Sequence, residues 1–217
     1  MASIDSTYPL APSEVLYLNG EQFAKKGRLG HAVPSKDVKV NINQLARAAL
    51  LAGFLGAESA GVVQFELSEK GGFLGGPRKL TLAAAGAGAF PPGTFESQLP
   101  AIINRLDRPL RSRSVRQIVA MWIGRTTSMP ASYALEKIQQ SLVTRGVLQA
   151  IGEKKFIITV VHHELTEAGR RLRDGAPLAE LQSILNACES ERPELLKSLQ
   201  HGIRAGFDDC EPEDVDD

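Results

Sequence analysis

The stretch from residue 135 to residue 172 constrains the fold most, because it joins a helix, a hairpin and a second helix in one run. Gly146, which follows Arg145, predicts the end of the first helix, since glycine adopts the left-handed cap conformation without a Cβ clash. The segment LTEAGRRL at 165–172 predicts the start of the next helix. The apolar stripe of the first helix follows the helical period and consists of Leu135, Ile138, Leu142 and Val143.

The hairpin in this stretch has an unusual second arm. Its predicted arms are residues 147–150 and 156–161, joined by a charged tip at 152–155. Phe156, Ile157 and Ile158 do not alternate with polar residues, so both faces of this arm need an apolar neighbour. Either the protein core or a partner has to supply that neighbour.

The rest of the chain predicts a mainly helical protein. Residues 45–55 are apolar nearly all round and predict a central helix. Residues 61–67 and 78–83 predict a second hairpin, and further helices are expected over 94–106, 113–123 and near the C-terminal end. We therefore predict one mainly α domain with two β-hairpins over residues 13–205, preceded by a flexible leader at 1–12 and followed by an acidic disordered tail at 206–217.

The charges of the chain cancel overall but are unevenly placed. The 25 basic and 25 acidic residues leave no net field that would mark a nucleic-acid or membrane binder. Six arginines nevertheless lie between residues 105 and 125, accompanied by one acid, Asp107. This group either holds a phosphate through bidentate hydrogen bonds or forms a solvated surface, and the sequence leaves both interpretations open.

Several functional classes find no support in the sequence. Neither a signal peptide nor a run of about 18 uncharged apolar residues is present, so we expect a cytoplasmic protein whose membrane contact is at most peripheral. Cys188 and Cys210 are expected to be reduced, and adjacent His162 and His163 point to opposite faces of a strand, so no metal site is predicted. No motif of a nucleophile or a phosphate loop occurs, so we expect neither an enzyme nor a cofactor.

Three segments of the hairpin stretch resemble the Golgi phosphoprotein 3 family. They are EKIQQSLVTRGVL at 136–148, EKKFII at 153–158 and HHELTEAGRRL at 162–172, which are similar to that family's helix, Gly-Val-Leu turn, hairpin and following helix. Earlier segments, NQLARAALLAGFLGAESAGVVQFE at 43–66, RKLTLAA at 78–84 and PPGTFESQL at 91–99, resemble its central helix, short strands and the start of its next helix. The resemblance implies a peripheral membrane protein that binds phosphatidylinositol-4-phosphate, at the Golgi in a eukaryote.

The resemblance also implies where such a lipid would bind. Arg47 falls where the family has a lipid-binding arginine, whereas Val38 stands in place of a tryptophan, and Ser132 and Leu135 in place of two arginines. With the clustered cations added, the predicted headgroup-binding residues are Arg47, Arg105, Arg111 and Lys154. The predicted membrane-contact hairpin consists of Phe156, Ile157 and Ile158.

Two other interpretations remain open. In a winged-helix nucleic-acid-binding protein, the helix before Gly146 would enter a major groove and the hairpin with Lys154 and Lys155 would be the wing. In an interaction scaffold, the apolar hairpin would contact a protein partner or a second copy of the chain.

Overall fold

A computed structural model of the protein describes residues 9–34, 38–67, 80–86, 90–107, 113–124, 126–155 and 158–212. Within these ranges the helices are α1 Pro12–Leu18, α2 Ile42–Ser59, α3 Phe95–Leu106, α4 Val115–Ile123, α5 Pro130–Thr144, α6 Glu167–Asp174, α7 Leu178–Glu191 and α8 Pro193–Asp208. The strands are β1 Lys26–Val33, β2 Val38–Val40, β3 Val63–Leu67, β4 Leu80–Ala84, β5 Leu148–Lys155 and β6 Ile158–Leu165. A 3₁₀ turn, Gly20–Gln22, follows α1. The mainly helical fold is confirmed.

The central position of α2 is confirmed by its burial. Asn41 caps the helix by accepting a hydrogen bond from the Gln44 N–H at 3.0 Å. Helices α1, α3, α5, α7 and α8 all contact α2, and ten of its residues are buried. The closest approach is at Gly56, where a Cβ would lie 2.3 Å from the Pro12 ring. Small residues on α2 therefore let α1 pack almost against its backbone.

The described residues form three hairpins, whereas the sequence predicts two. The additional one pairs β1 with β2 in an irregular antiparallel register, in which Lys26 and His31 both lie opposite Val40. A Cβ on Gly30 would lie 2.1 Å from the Val40 carbonyl oxygen, so glycine is required by this close approach. The glycines at 27 and 30 and the proline at 34 resemble a loop in sequence, which is why the hairpin is not predicted.

The register of the third hairpin differs from the predicted one. Lys155 pairs with Ile158 and Gly152 pairs with Val161, so the predicted charged tip at 152–155 is part of strand β5. The prediction of the tip was wrong because its glycine and charged residues were assigned to a turn, whereas strand pairing continues through Lys155. Phe156 and Ile157 lie outside the described residues, and Ile158 begins β6.

The predicted boundaries at both ends of the domain are also wrong. Leu10 and Ala11, assigned to the leader, are buried, and the tail boundary at 206 falls inside α8. Phe207 and Cys210 are buried, and Arg116 holds Asp209 in a bidentate ion pair. The acidic residues at this end led to the prediction of a tail, although the buried residues belong to an apolar face of α8 that packs against α4. Residues 1–8 and 213–217 lie outside the described ranges.

We predict that Gly206→Ala destabilises the protein. A Cβ there would lie 2.8 Å from the Arg116 carbonyl oxygen and 2.7 Å from the Cβ of Val119, so α4 and α8 would have to separate. Overpacking should cost about 1–3 kcal/mol, reduced by about 1 kcal/mol because alanine favours a helix. Urea unfolding measures the change. The exposed neighbour Arg204→Ala is the control and should shift the free energy of unfolding by less than about 0.5 kcal/mol.

Candidate anion-binding surface

The structure does not bring the predicted headgroup-binding residues together. Arg47 is exposed in the second turn of α2, and Arg105 is exposed in the last turn of α3. The end of α3 lies near β3, because Arg113 is 3.9 Å from Asp107 and 4.0 Å from Glu66 of that strand. Strand β3 follows the C-terminal end of α2, whereas Arg47 is close to its N-terminal end.

The remaining predicted site residues are described only in part. Arg111, Phe156 and Ile157 lie outside the described residues. Lys154 and Ile158 are placed in the ladder between β5 and β6 by their backbones alone. Among the predicted headgroup-binding residues that the structure describes, Arg47 is therefore the one that lies near further cations.

Two of the three described arginines of the group at 105–125 are engaged in ion pairs within the fold. Arg113 lies between Asp107 and Glu66, and Arg116 is paired with Asp209. The hydrogen bond and the charge of Asp209 raise the pKa of Arg116 above its usual value. These two guanidinium groups stabilise contacts between elements, so the described part of the group does not form a phosphate clamp.

A different group of cations surrounds the N-terminal end of α2. The backbone N–H of Lys25 donates to Oε1 of Gln44 at 3.0 Å, and its carbonyl accepts from the Asn41 N–H at 2.9 Å. Lys26 pairs with Val40 in the first hairpin, and Arg47 lies three residues, almost one turn, beyond Gln44. We call the exposed set Lys25, Lys26, Lys39 and Arg47 the basic end of α2.

The four cations of the basic end of α2 make no ion pair with an acid among the described residues. Six arginines elsewhere are paired with acids, in the pairs Arg113–Glu66, Arg116–Asp209, Arg145–Glu14, Arg171–Glu167, Arg173–Asp174 and Arg192–Glu58. Exposed cations without a described acid partner also occur on α3, at Arg105, and on α8, at Lys197 and Arg204. The basic end of α2 differs from these in grouping four such cations around one helix end.

Sequence reasoning missed three members of this set. Lys25, Lys26 and Lys39 are separated along the chain, and only the β1–β2 hairpin brings them to Arg47. The one sequence signal that could have identified part of this set is the capping residue Asn41, because it places the start of α2 shortly after Lys39. Val38 and Ile42, both half-buried, add an apolar component to the same surface.

A polar cluster connects the first hairpin with α1 and α5. The Tyr17 hydroxyl lies 3.0 Å from Nε2 of His31, and Nε2 of Gln139 lies 3.4 Å from the same atom. Burial, followed by the charge of His163 on β6, lowers the pKa of His31 to about 4. The imidazole of His31 is therefore neutral at physiological pH.

Two buried carboxylates connect α1 with its neighbours. Glu96 of α3 accepts hydrogen bonds from the backbone N–H of Ser13 at 2.7 Å and from its hydroxyl at 2.9 Å. Glu14 accepts from the Ser141 hydroxyl at 3.0 Å and pairs with Arg145. Glu96 is fully buried without a cation, so burial raises its pKa to about 7. The cluster has a structural role, because it ties α1 to α3 and α5.

We predict that Glu96 makes folding stability fall as the pH rises. Its folded-state pKa of about 7 lies above the ordinary 4.5, so the stability that the protonated form contributes is fully present below 4.5 and is lost through pH 7. His31, with its lowered pKa, acts in the opposite sense, since its contribution is lost as the pH falls. The informative quantity is therefore the difference between the native protein and Glu96→Gln.

Urea unfolding between about pH 5 and pH 8 measures this difference. The free energy of unfolding of the native protein should fall by roughly 1–3 kcal/mol relative to Glu96→Gln over that range. The glutamine is nearly isosteric and can keep both hydrogen bonds to Ser13. Parallel pH profiles for the two proteins would contradict a raised pKa at Glu96.

Two further findings concern the described residues only. No group of three or more His, Cys, Asp or Glu side chains there is arranged to hold a metal ion. None of the helices in the described ranges combines the length and the apolar character needed to cross a membrane.

The chain has no match among protein-family models, curated proteins or solved structures. The resemblance to the Golgi phosphoprotein 3 family therefore stays a prediction.

Proposed function

We propose that this protein is a non-enzymatic peripheral membrane protein that binds anionic lipid headgroups through the basic end of α2. The observation that carries the proposal is the grouping of four exposed cations without an acid partner among the described residues. Arg47, which the family resemblance singles out, belongs to this group. The phosphoinositide preference and the Golgi location that the resemblance implies are part of the proposal.

The expected electrostatic free energy of membrane binding is of the size of a reversible association. Each lysine or arginine near an anionic membrane surface contributes about 1 kcal/mol, and the field decays within a Debye length of about 8–10 Å. Four such residues would contribute roughly 4 kcal/mol, which gives weak binding unless an apolar segment adds to it. In the sequence, the apolar run at 156–158 of the third hairpin is the candidate for such a segment.

We predict that charge reversal at the basic end weakens lipid binding. Lys39→Glu combined with Arg47→Glu should weaken binding to vesicles of phosphatidylcholine with about 20% phosphatidylserine by at least tenfold, since it changes the local charge by four. Co-sedimentation at about 0.1 M salt measures the bound fraction. Lys197→Glu combined with Arg204→Glu changes two exposed cations of α8 equally and is the matched control, which should bind like the native protein.

The same assay tests the headgroup. Vesicles with equal total charge, carrying phosphatidylserine or phosphatidylinositol-4-phosphate, separate general electrostatic attraction from phosphoinositide recognition. Failure of the native protein to pellet with any anionic vesicle would refute the proposed function. Equal loss in both double variants would show that the binding surface lies elsewhere.

The contribution of the third hairpin to membrane binding should be detectable at high salt. We predict that Phe156→Ser combined with Ile157→Ser lowers vesicle binding at about 0.5 M salt more strongly than at 0.1 M, because screening leaves mainly the apolar contribution. The ratio of bound fractions at the two salt concentrations is the measurement. A ratio unchanged from the native protein would exclude these residues from membrane contact.

The nucleic-acid interpretation is less well supported by the geometry of α5. The exposed residues of this helix are Glu136, Gln140 and Thr144, which include no cation. Lys137 donates to the Trp122 carbonyl and lies 5.1 Å from the centre of the Trp122 ring, and Arg145 is paired with Glu14. A recognition helix needs several free cations or amides facing the duplex. A salt-dependent DNA shift without lipid binding would favour the winged-helix interpretation.

A further inference from the structure

The end of α2 opposite to its basic end borders a groove of about 320 Å³. Its apolar wall contains Phe65 and Leu67 of β3 and Leu195 of α8, and its rim carries Glu191, Arg192 and Glu194. We call this site the acidic groove. Glu58 of the last turn of α2 marks its position in the fold, because it binds Arg192 with oxygen–nitrogen distances of 2.7 and 2.8 Å.

The β3 strand contributes two partly covered apolar residues to this groove, and the guanidinium carbon of Arg192 lies 6.0 Å from the centre of the Phe65 ring. In the β3–β4 hairpin, Phe65 pairs with Leu82 and Leu67 with Leu80, so all four side chains share one face. Leu82 and Leu80 are 0% and 5% exposed, whereas Phe65 and Leu67 are only half-buried. The inner strand is thus covered by the core, and the outer strand faces the groove.

The rim of the groove is negatively charged. The bidentate pair with Glu58 neutralises Arg192, whereas Glu191 and Glu194 are exposed and make no ion pair among the described residues. Lys197 lies almost one turn beyond Glu194 on α8 but does not line the groove. The groove therefore selects an occupant that combines apolar side chains with cations.

The basic end of α2 supplies the cations. Exposed Lys39 and Arg47 lie there, next in sequence to Val38 and Ile42, which are half-buried against the core. Arg47 and Glu58 are 11 residues apart on α2, or about 16 Å, so Arg47 does not reach the groove of its own molecule. Two molecules can join these surfaces, with the basic end of one copy against the groove of the next.

We propose that the acidic groove binds the basic end of α2 of a second copy in a head-to-tail contact. The lysines and Arg47 of one copy face Glu191 and Glu194 of the other, beside Phe65 and Leu67. Such a contact joins two different surfaces, so it leaves a free groove at one end and a free basic end at the other, and it can repeat. It is independent of lipid binding, although an anionic membrane would compete for the same cations.

Sedimentation velocity of the native protein without lipid tests the contact. At about 25 mM salt the weight-average mass should rise above the 23.4 kDa monomer as the concentration approaches about 0.5 mM, and at about 0.3 M salt it should return to the monomer value. A monomer at every concentration in low salt would overturn the proposal.

Reversing the charges of each surface tests whether the basic end of α2 and the acidic groove both take part in the contact. Lys39→Glu/Arg47→Glu and Glu191→Lys/Glu194→Lys should each weaken self-association at least tenfold, because each places like charges across the contact. A mixture of the two variants should associate again, since each reversed surface then meets an opposite charge. Circular dichroism confirms that both variants are folded.

Two results would overturn the proposal at this stage. One is continued monomeric behaviour of the mixture, and the other is self-association unchanged in either single variant. If the chain's own residues 68–79, which carry Lys70, Arg78 and Lys79, occupy the groove, Glu191→Lys/Glu194→Lys should lower the melting temperature without any change in sedimentation. That outcome would likewise refute binding of a second copy.

Discussion

The close packing of α2 is the constraint on which the rest of the structure depends. This helix is apolar nearly all round, so it requires neighbours on every side, and five other helices contact it. Gly53 and Gly56 allow Phe95 and Pro12 to approach its backbone, where a Cβ would lie only 2.6 and 2.3 Å from their side chains. Because most of α2 is buried, its fully exposed residues lie near its two ends, where its polar side chains can meet a partner.

The buried polar groups determine how α1 lies against this centre. Ser13 and Glu14 are adjacent in α1 but interact with different helices, Ser13 with Glu96 of α3 and Glu14 with Arg145 after α5. These bonds are directional, whereas the apolar contacts around them tolerate sliding. Arg145 precedes Gly146 and the third hairpin, so the same ion pair also positions the base of that hairpin. A carboxyl group without a cation, Glu96, is therefore kept in the core at the expense of stability at alkaline pH.

The distribution of charge follows from this arrangement. Acids and arginines that join separate elements neutralise one another, as in Arg192–Glu58 and Arg116–Asp209. Opposite charges remain at the two ends of α2, with lysines and Arg47 at one end and Glu191 and Glu194 at the other. A chain with no net charge thus acquires two surfaces of opposite sign, which supports both an anionic partner at one end and a contact between copies.

Local sequence signals predict the mainly helical class, the central position of α2 and the β3–β4 hairpin, because apolar periodicity and capping by residues such as Asn41 depend on near neighbours in the chain. Arg47 was selected through family resemblance rather than through physics. The β1–β2 hairpin, the extent of α8 through Asp208 and the separation of Arg47 from Arg105 follow only from the tertiary structure. These features depend on strand pairing, on helix contact at Gly206 and on ion pairs between residues far apart in the chain, and no local pattern encodes such distances.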